Sequence, residues 1–225
     1  MKHLKALALA VLLATASVLA QSVAAPGVHP ISGRRFANVM GWQGADWLER
    51  SEREIEEEPD KALDALGPLT GLTVADVGAG SGYFTVRLAS RVGPKGRVYA
   101  NDLQPEMLKM LAARLAREKV QNVTLVQGIT DDPKLPASTV DLVLMVDVYH
   151  ELSEPQKMLR AIRAALKPGG RLVLLEYRKE DPAVPIRFEH KMSIAEAKLE
   201  LEAEGFLLGR IDDRLPRQHI FVFSK

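Results

Sequence analysis

The chain has 225 residues, of which 47% are hydrophobic and 26% are charged, a composition typical of a folded globular protein. Its 30 basic and 29 acidic side chains give a net charge near zero, which argues against a dedicated nucleic-acid-binding surface. The complete absence of cysteine excludes disulfides, thiolate metal ligands and cysteine nucleophiles.

Residues 1–24 have the pattern of a secretory signal peptide. Lys2 and Lys5 give a basic start, a short apolar run follows, and Ser22-Val23-Ala24 has the small side chains of a cleavage site. The alternative is an uncleaved membrane anchor, but the apolar run is shorter than the ~20 residues that span a bilayer. The sequence therefore predicts an exported, periplasmic protein without a stable membrane span.

Residues 25–70 are predicted to form an N-terminal extension. Its central part, residues 46–58, is highly charged and predicts a helix that Pro59 interrupts. A charged run of this kind is more often a solvated helix face, but we expect this helix to cover the functional site. A second short helix is predicted over residues 61–66.

From residue 71 to residue 225 the pattern alternates between strand and helix, which predicts an α/β domain with helices on both faces of a mostly parallel sheet. Capping boxes at Ser153 and Ser193 predict the starts of two of the helices. The last two predicted strands are joined by a short polar turn, and a connection that short joins antiparallel neighbours only. The predicted strands cover residues 72–77, 97–101, 123–127, 140–148, 171–177, 206–211 and 219–223.

A glycine-rich loop follows the first predicted strand. Gly78, Gly80 and Gly82 differ in spacing from the dinucleotide motif, and no lysine follows them as in a P-loop. Asp76, just before the loop, disfavours a pyrophosphate and favours a ligand with a cationic end, such as S-adenosylmethionine. Asp102, at the end of the second strand, is placed to accept both hydroxyls of a ribose.

These motifs resemble those of class I, Rossmann-like S-adenosylmethionine-dependent methyltransferases, especially the ubiquinone-biosynthesis-like and methyltransferase domain 11 groups. The matching segments are residues 76–82, 102–107, 141–148 and 166–170. The resemblance implies a seven-stranded sheet with the last strand antiparallel, and S-adenosylmethionine as cofactor. The residues assigned to that cofactor are Asp76, Gly78, Ala79, Gly80, Gly82, Asp102, Leu103, Asp131 and Asp147.

One segment departs from the family pattern. Relatives commonly carry Gly-Asp-Ala after the third strand, whereas this chain has Gly128-Ile129-Thr130-Asp131-Asp132. The adenine-contacting role is therefore assigned to Asp131, and cofactor affinity depends on whether this shifted acid reaches the base.

Candidate catalytic residues follow the fourth and fifth strands, because ligands of such sheets lie at the carboxyl ends of the strands. His150, Glu151 and Tyr177 are the predicted catalytic set, with His150 as general base or substrate contact. Glu176 and Tyr177 are equally compatible with a buried hydrogen-bonded pair. His190 lies in a loop long enough to act as a lid, although the sequence favours a solvated loop histidine. No metal site is predicted.

The sequence does not identify the methyl acceptor, which is predicted to be a small molecule, a lipid or a protein side chain and not a nucleic acid. Two alternatives stay open. An exported chain needs a source of cofactor outside the cytosol, so it is also compatible with a catalytically silent nucleoside-binding module. The segment Gly80-Ser81-Gly82-Tyr83 resembles the loop of protein isoaspartate repair methyltransferases, although their upstream motifs are not evident.

Overall fold

A computed structural model describes residues 27–225, so the predicted signal peptide lies outside the described residues. Within residues 27–225, seven strands form a single sheet. The strands are β1 Thr73–Val77, β2 Arg97–Asp102, β3 Val123–Gln127, β4 Val140–Val146, β5 Leu166–Tyr177, β6 Leu207–Asp212 and β7 Gln218–Ser224.

The strand order in the sheet is β3-β2-β1-β4-β5-β7-β6. Strands β1 to β5 run parallel to one another, and β7 pairs antiparallel with both β5 and β6. This confirms the predicted mostly parallel sheet with an antiparallel last strand. Because the chain order reverses between β1 and β4, the carboxyl ends of these two strands flank a crevice, which is where open α/β sheets bind ligands.

Helices cover both faces of the sheet. They are α1 Ala45–Leu48, α2 Arg53–Glu56, α3 Pro59–Asp64, α4 Tyr83–Val92, α5 Pro105–Glu118, α6 Pro155–Ala165 and α7 Ile194–Glu202. Helices α3 and α4 pack on one face, and α6 and α7 pack on the other. Because both faces are covered, the central strand β4 is apolar in an unbroken run, and residues 142–145 are fully buried. Burying each such side chain stabilises the fold by about 1.5–3 kcal/mol.

The single helix predicted over residues 46–58 is wrong, because the segment forms two short helices, α1 and α2. Side chains at the break bind elsewhere in the protein. Glu49 accepts a hydrogen bond from the Ser81 hydroxyl at 2.5 Å and pairs with Arg114 at 2.7 Å. These tertiary contacts outweigh the helix propensity of the segment.

The two predicted capping boxes have different outcomes. The box at the start of α7 is present, with the Ser193 hydroxyl accepting from the Glu196 amide at 3.1 Å and the Glu196 carboxylate accepting from the Ser193 amide at 3.0 Å. The box at Ser153 is absent, because the residue that caps α6 is Glu154. The third helical position is then Lys157, which pairs with Glu154 at 3.2 Å, so the predicted glutamine partner is out of register.

Candidate active site

The glycine-rich loop between β1 and α4 has no space for side chains at any of its three glycines, and a Cβ atom at Gly82 would lie 2.2 Å from Leu111. Gly78, Gly80 and Gly82 all have positive φ angles, of 79°, 54° and 92°, which favour glycine. A Cβ atom at Gly78 would lie 2.4 Å from Val148, and one at Gly80 would lie 2.7 Å from Leu48. The loop therefore presents bare backbone at the carboxyl end of β1.

Asp102 lies beside this loop at the end of β2. Its carboxylate accepts hydrogen bonds from the amides of Gly80 and Gln104, both at 2.9 Å. Burial raises the pKa of Asp102 above its ordinary range. The next side chain, Leu103, is 42% exposed. A fixed carboxylate next to an exposed apolar side chain suits a ribose and the base attached to it.

Asp76 and Ala79 complete the loop on the β1 side. Asp76 is buried and accepts a hydrogen bond from the Thr85 hydroxyl at 2.6 Å. Burial raises the pKa of Asp76 to about 6, and the nearby Asp102 carboxylate also raises it. The Ala79 amide donates to the Asn101 backbone oxygen at 2.8 Å, which ties the end of β1 to the end of β2.

The other two predicted cofactor residues lie further along the same edge. Asp147 follows β4 in a left-handed conformation, with φ of 53°. Its carboxylate accepts a hydrogen bond from the side-chain amide of Gln218 at 2.8 Å. Burial and the neighbouring carboxylates of Glu57 and Glu176 raise its pKa. Asp131, after β3, has a side chain that is 37% exposed. Asp131 is therefore open to solvent at the outer end of this edge.

The carboxyl edge of the sheet thus concentrates buried acidic groups. Burial raises the pKa of Glu151 to about 7, and the carboxylates of Glu176 and Asp102 contribute in the same direction. Several of these carboxylates disfavour one another's ionised form. A ligand that brings a sulfonium and an ammonium group would relieve that repulsion, so the residues present fit S-adenosylmethionine.

His150 lies in a short 3₁₀ turn after β4 and is almost fully buried. Its Nδ1 atom lies 2.6 Å from the Glu176 carboxylate, and its Nε2 atom lies 3.1 Å from Nδ1 of His190. The second carboxylate oxygen of Glu176 accepts from the Tyr149 amide at 2.8 Å, which holds the acid in place. Glu176, His150 and His190 thus form a row, which we call the histidine row. His190, whose side chain is 27% exposed, is its solvent-facing end. Glu151, predicted with His150, lies 4.0 Å from its Nε2 atom.

Tyr177 is not brought together with His150. Successive side chains of a strand point to opposite faces of the sheet, so Tyr177 faces away from Glu176. Its hydroxyl donates to the buried carboxylate of Glu57 at 2.8 Å, and that carboxylate also pairs with Arg53 at 2.6 Å. Burial raises the pKa of Tyr177 above its ordinary value. The structure therefore places Tyr177 in a buried polar network and not beside the predicted base.

Residues 40–58, which we call the strap, contact both the glycine loop and the end of β2. Besides Leu48 at Gly80, the strap binds Gln104, whose side chain accepts from the Trp42 amide at 2.8 Å and donates to the Met40 backbone oxygen at 2.9 Å. Glu54 accepts from the Tyr83 hydroxyl at 2.6 Å, on the first turn of α4.

Sequence reasoning did not connect His190 with His150, and it did not single out Glu57. Forty residues separate the two histidines, and only the parallel pairing of β4 with β5 brings their loops together. The usable signal was that both histidines follow neighbouring strands at the same edge.

Among the described residues, no helix is long and apolar enough to cross a membrane.

The chain is similar to several methyltransferases. A family profile described as "Methyltransferase domain" matches residues 74–170. A solved structure of a SAM dependent methyltransferase from Aquifex aeolicus is 30% identical, with a TM-score of 0.78 and coverage of 83% of this chain and 99% of that one. A putative type 11 methyltransferase from Sulfolobus solfataricus shares the fold, at 19% identity, a TM-score of 0.60 and coverage of 76% of this chain and 93% of that one.

Among characterised proteins, the chain is similar to ubiquinone/menaquinone biosynthesis C-methyltransferases. The protein from Enterobacter sp. (strain 638) is 35% identical over 118 residues, or 52% of this chain and 47% of that protein. The protein from Pasteurella multocida is 34% identical over 123 residues, or 52% and 44%. The match thus spans about half the length of these relatives.

Proposed function

The chain belongs to the class I S-adenosylmethionine-dependent methyltransferases, and we propose that its acceptor is a small phenol or enol. The observation that carries this proposal is the row formed by Glu176, His150 and His190, which is suited to taking a proton from a hydroxyl group. The names of the quinone-biosynthesis relatives support the same acceptor chemistry, because a quinone precursor in its reduced form is a phenol.

The cofactor would be held by the loop and carboxylates at the ends of β1 and β2. Asp102 would accept the ribose hydroxyls, Leu103 would contact the base, and Asp76 would face the cationic end. S-adenosylmethionine, when bound, supplies an electrophilic methyl group, whose bond to sulfur breaks with its electron pair on sulfur as the acceptor bonds to the methyl carbon.

The histidine row would take the acceptor's proton in two steps. A proton on Nδ1 of His150 would be held by the Glu176 carboxylate, and Nε2 of His150 would then accept the hydrogen bond from Nδ1–H of His190. The remaining nitrogen of His190, Nε2, is then free to accept the hydroxyl proton. As it does so, His190 passes its Nδ1 proton to His150, and the resulting imidazolium is stabilised by Glu176.

The state of His190 supports this role. Burial lowers the pKa of His190, and the adjacent His150 lowers it further, so His190 is neutral and able to accept a proton near pH 7. His150 is predicted from the sequence to be the base, but it is buried behind His190. We therefore assign contact with the acceptor to His190, with Glu151 beside it and His150 as the residue behind.

The strap and the predicted signal peptide also have roles in this proposal. The strap would close over the cofactor and the acceptor, since it already contacts the glycine loop at Leu48 and the end of β2 at Gln104. Residues 1–24 would direct the protein to the periplasm, where it would act without a stable membrane span.

The test is transfer of a labelled methyl group from S-adenosylmethionine to hydroquinone or to 1,4-naphthohydroquinone. We expect labelled product from the unmodified protein and turnover about 10²–10⁴-fold slower in His190→Ala and His150→Ala, with cofactor affinity unchanged. His219→Ala, which changes a histidine bonded to Asp213 and Glu180, is the matched control and should keep its activity. Binding of the cofactor without transfer to either phenol would contradict this acceptor class and favour a silent binding module.

A further inference from the structure

Three potential metal ligands converge at the exposed end of the histidine row. His150 and Glu151 lie in the 3₁₀ turn Tyr149–Glu151 after β4, and His190 lies in the 3₁₀ turn Phe188–His190 in the loop that follows β5. One ligand atom from each residue lies within 4.8 Å of the other two. The three residues come from two loops at the same sheet edge, so the grouping is a product of the fold.

The spacing of these atoms matches a metal centre. Nε2 of His150 lies 3.1 Å from Nδ1 of His190, and one carboxylate oxygen of Glu151 lies 4.0 Å and 3.9 Å from these two nitrogens. The nearest point equidistant from the three atoms lies in their plane, about 2.1 Å from each, which is close to the usual Zn–N and Zn–O distances of about 2.0–2.2 Å, so small side-chain shifts would give a tetrahedral arrangement. From these contacts we infer that His150, Glu151 and His190 form a binding site for a divalent transition-metal cation of the zinc class.

A second observation points to a ligand independently of this spacing. The Glu176 carboxylate lies 2.6 Å from Nδ1 of His150, and its other oxygen is fixed by the Tyr149 amide. A metal-binding histidine almost always donates its second ring N–H to such a carboxylate, which orients the lone pair of the other nitrogen toward the metal. Glu176 and His150 are both buried, so this arrangement is rigid before any cation arrives.

The donor set selects the type of cation. Two imidazoles and one carboxylate suit Zn²⁺, Co²⁺ or Fe²⁺, whereas Mg²⁺ and Ca²⁺ prefer sites made entirely of oxygen atoms. Three protein ligands leave at least one position open, which is the feature of a catalytic rather than a structural zinc site.

The cation also has a use in the reaction, and this part rests on the proposed phenolic acceptor. An acceptor oxygen bound at the open position would lose its proton more easily, because the cation stabilises the phenolate. His190, coordinating through Nδ1, carries its own ring proton on Nε2, so the acceptor's proton would pass to solvent water. No bond other than the acceptor's O–H is broken in this step, and the cation keeps its oxidation state.

The experiment measures metal binding directly and does not depend on methyl transfer. The full-length chain, stripped with a chelator, is titrated with Co²⁺ followed by visible absorption and with Zn²⁺ followed by calorimetry. We expect one equivalent of either ion to bind, with the intense Co²⁺ spectrum of a low-coordinate nitrogen and oxygen site. His190→Ala and Glu151→Gln each remove a ligand from a partly exposed position, and we expect both to abolish the one-equivalent binding.

Two further variants make the result decisive. Glu176→Gln keeps all three ligands but removes the orienting carboxylate, so we expect binding about 10- to 100-fold weaker. His219→Ala removes a histidine outside the cluster and should bind like the unmodified protein. Absence of Co²⁺ and Zn²⁺ binding, or equal binding by His190→Ala with a native circular dichroism spectrum, would overturn the site. Such a failure leaves methyl transfer to phenols intact, whereas metal binding without methyl transfer would contradict only the proposed function.

Discussion

At the scale of single residues, Asp76 is a buried acid whose ionised form is costly to the fold. Its pKa is raised to about 6 by burial, while an unfolded chain ionises this group near pH 3.8. The folded state therefore holds the proton more tightly, and it loses stability relative to the unfolded state as the pH rises from about 4 to 6. This cost is consistent with the proposed role of Asp76 toward the cationic end of the cofactor.

The raised pKa of Asp76 predicts how the stability of Asp76→Asn depends on pH. The variant should be more stable than the unmodified protein above pH 6, by up to about 3 kcal/mol, and the difference should vanish below pH 4. Its affinity for S-adenosylmethionine should fall despite the gain in stability. Urea unfolding across this pH range, with Asp64→Asn on the exposed side of α3 as control, measures the effect. A stability difference that does not change with pH would contradict a raised pKa at Asp76.

Residues whose role follows from local spacing were predictable, and residues that act across the fold were not. The proximity of the glycines and Asp102 was predictable because the glycine loop and β2 are close in sequence, and the Asp102 carboxylate accepts from the amide of Gly80 at 2.9 Å. The contact between His150 and His190 depends on the parallel pairing of two strands. Tyr177, predicted in the catalytic set, donates to Glu57 in a buried network, a partner that lies 120 residues away and that local spacing does not indicate.

At the scale of elements, the strap is fastened to the sheet through buried polar contacts. Glu57 is 1% exposed and is bonded by Arg50 at 2.7 Å, by Arg53 at 2.6 Å and by the Tyr177 hydroxyl at 2.8 Å. Removing one donor leaves this buried carboxylate less well satisfied, at a cost of about 1–3 kcal/mol. The strap's position over the glycine loop therefore depends on a side chain in β5.

We accordingly expect Tyr177→Phe to loosen the strap. Trypsin should cleave after Arg50 and Arg53 several times faster in this variant, while the sheet domain stays resistant. Tyr99→Phe, in β2, is the matched control and should digest like the unmodified protein. The cleavage sites are identified by mass spectrometry of a time course. Equal rates of cleavage in the two variants would show that the Tyr177 hydroxyl does not hold the strap.

The strands were predicted more accurately than the helices for a physical reason. All seven strands overlap the predicted ones, and the agreement is explained best for the central strands, because burial between two helical layers imposes an apolar run such as residues 142–145 of β4. The charged residues 46–58 carry helix propensity, but their partners lie on other elements. Glu49 pairs with Arg114 in α5, and Glu57 accepts a hydrogen bond from Tyr177 in β5. Neither contact can be predicted from the neighbouring sequence.

At the scale of the whole molecule, the strand order brings the candidate residues of distant segments to one edge. Strands β1, β2, β4 and β5 run parallel, so their carboxyl ends deliver Asp76, Asp102, His150 and Glu176 to the same side of the sheet. The antiparallel pair β6 and β7 forms the edge of the sheet opposite β3.

Export is a prediction at this scale as well. We expect the mature protein to begin at or near Ala25 and to be recovered outside the cytoplasm, because the basic start, short apolar run and small residues of the first 24 positions match a cleavable signal. Mass spectrometry of the protein from fractionated cells of the native host measures both properties. Intact Met1 to Ala24 on a soluble cytosolic protein would contradict it.

The central claim is that the glycine loop and Asp102 form the S-adenosylmethionine site, and calorimetric titration of the purified protein with this cofactor tests it most directly. We predict binding in the micromolar range and a loss of about ten- to a hundredfold in Asp102→Ala, since loss of the charged acceptor of the ribose hydroxyls costs about 1.5–3 kcal/mol in total. Asp64→Ala, on the exposed side of α3, should bind like the unmodified protein. Equal affinity of the unmodified protein and Asp102→Ala would contradict the account.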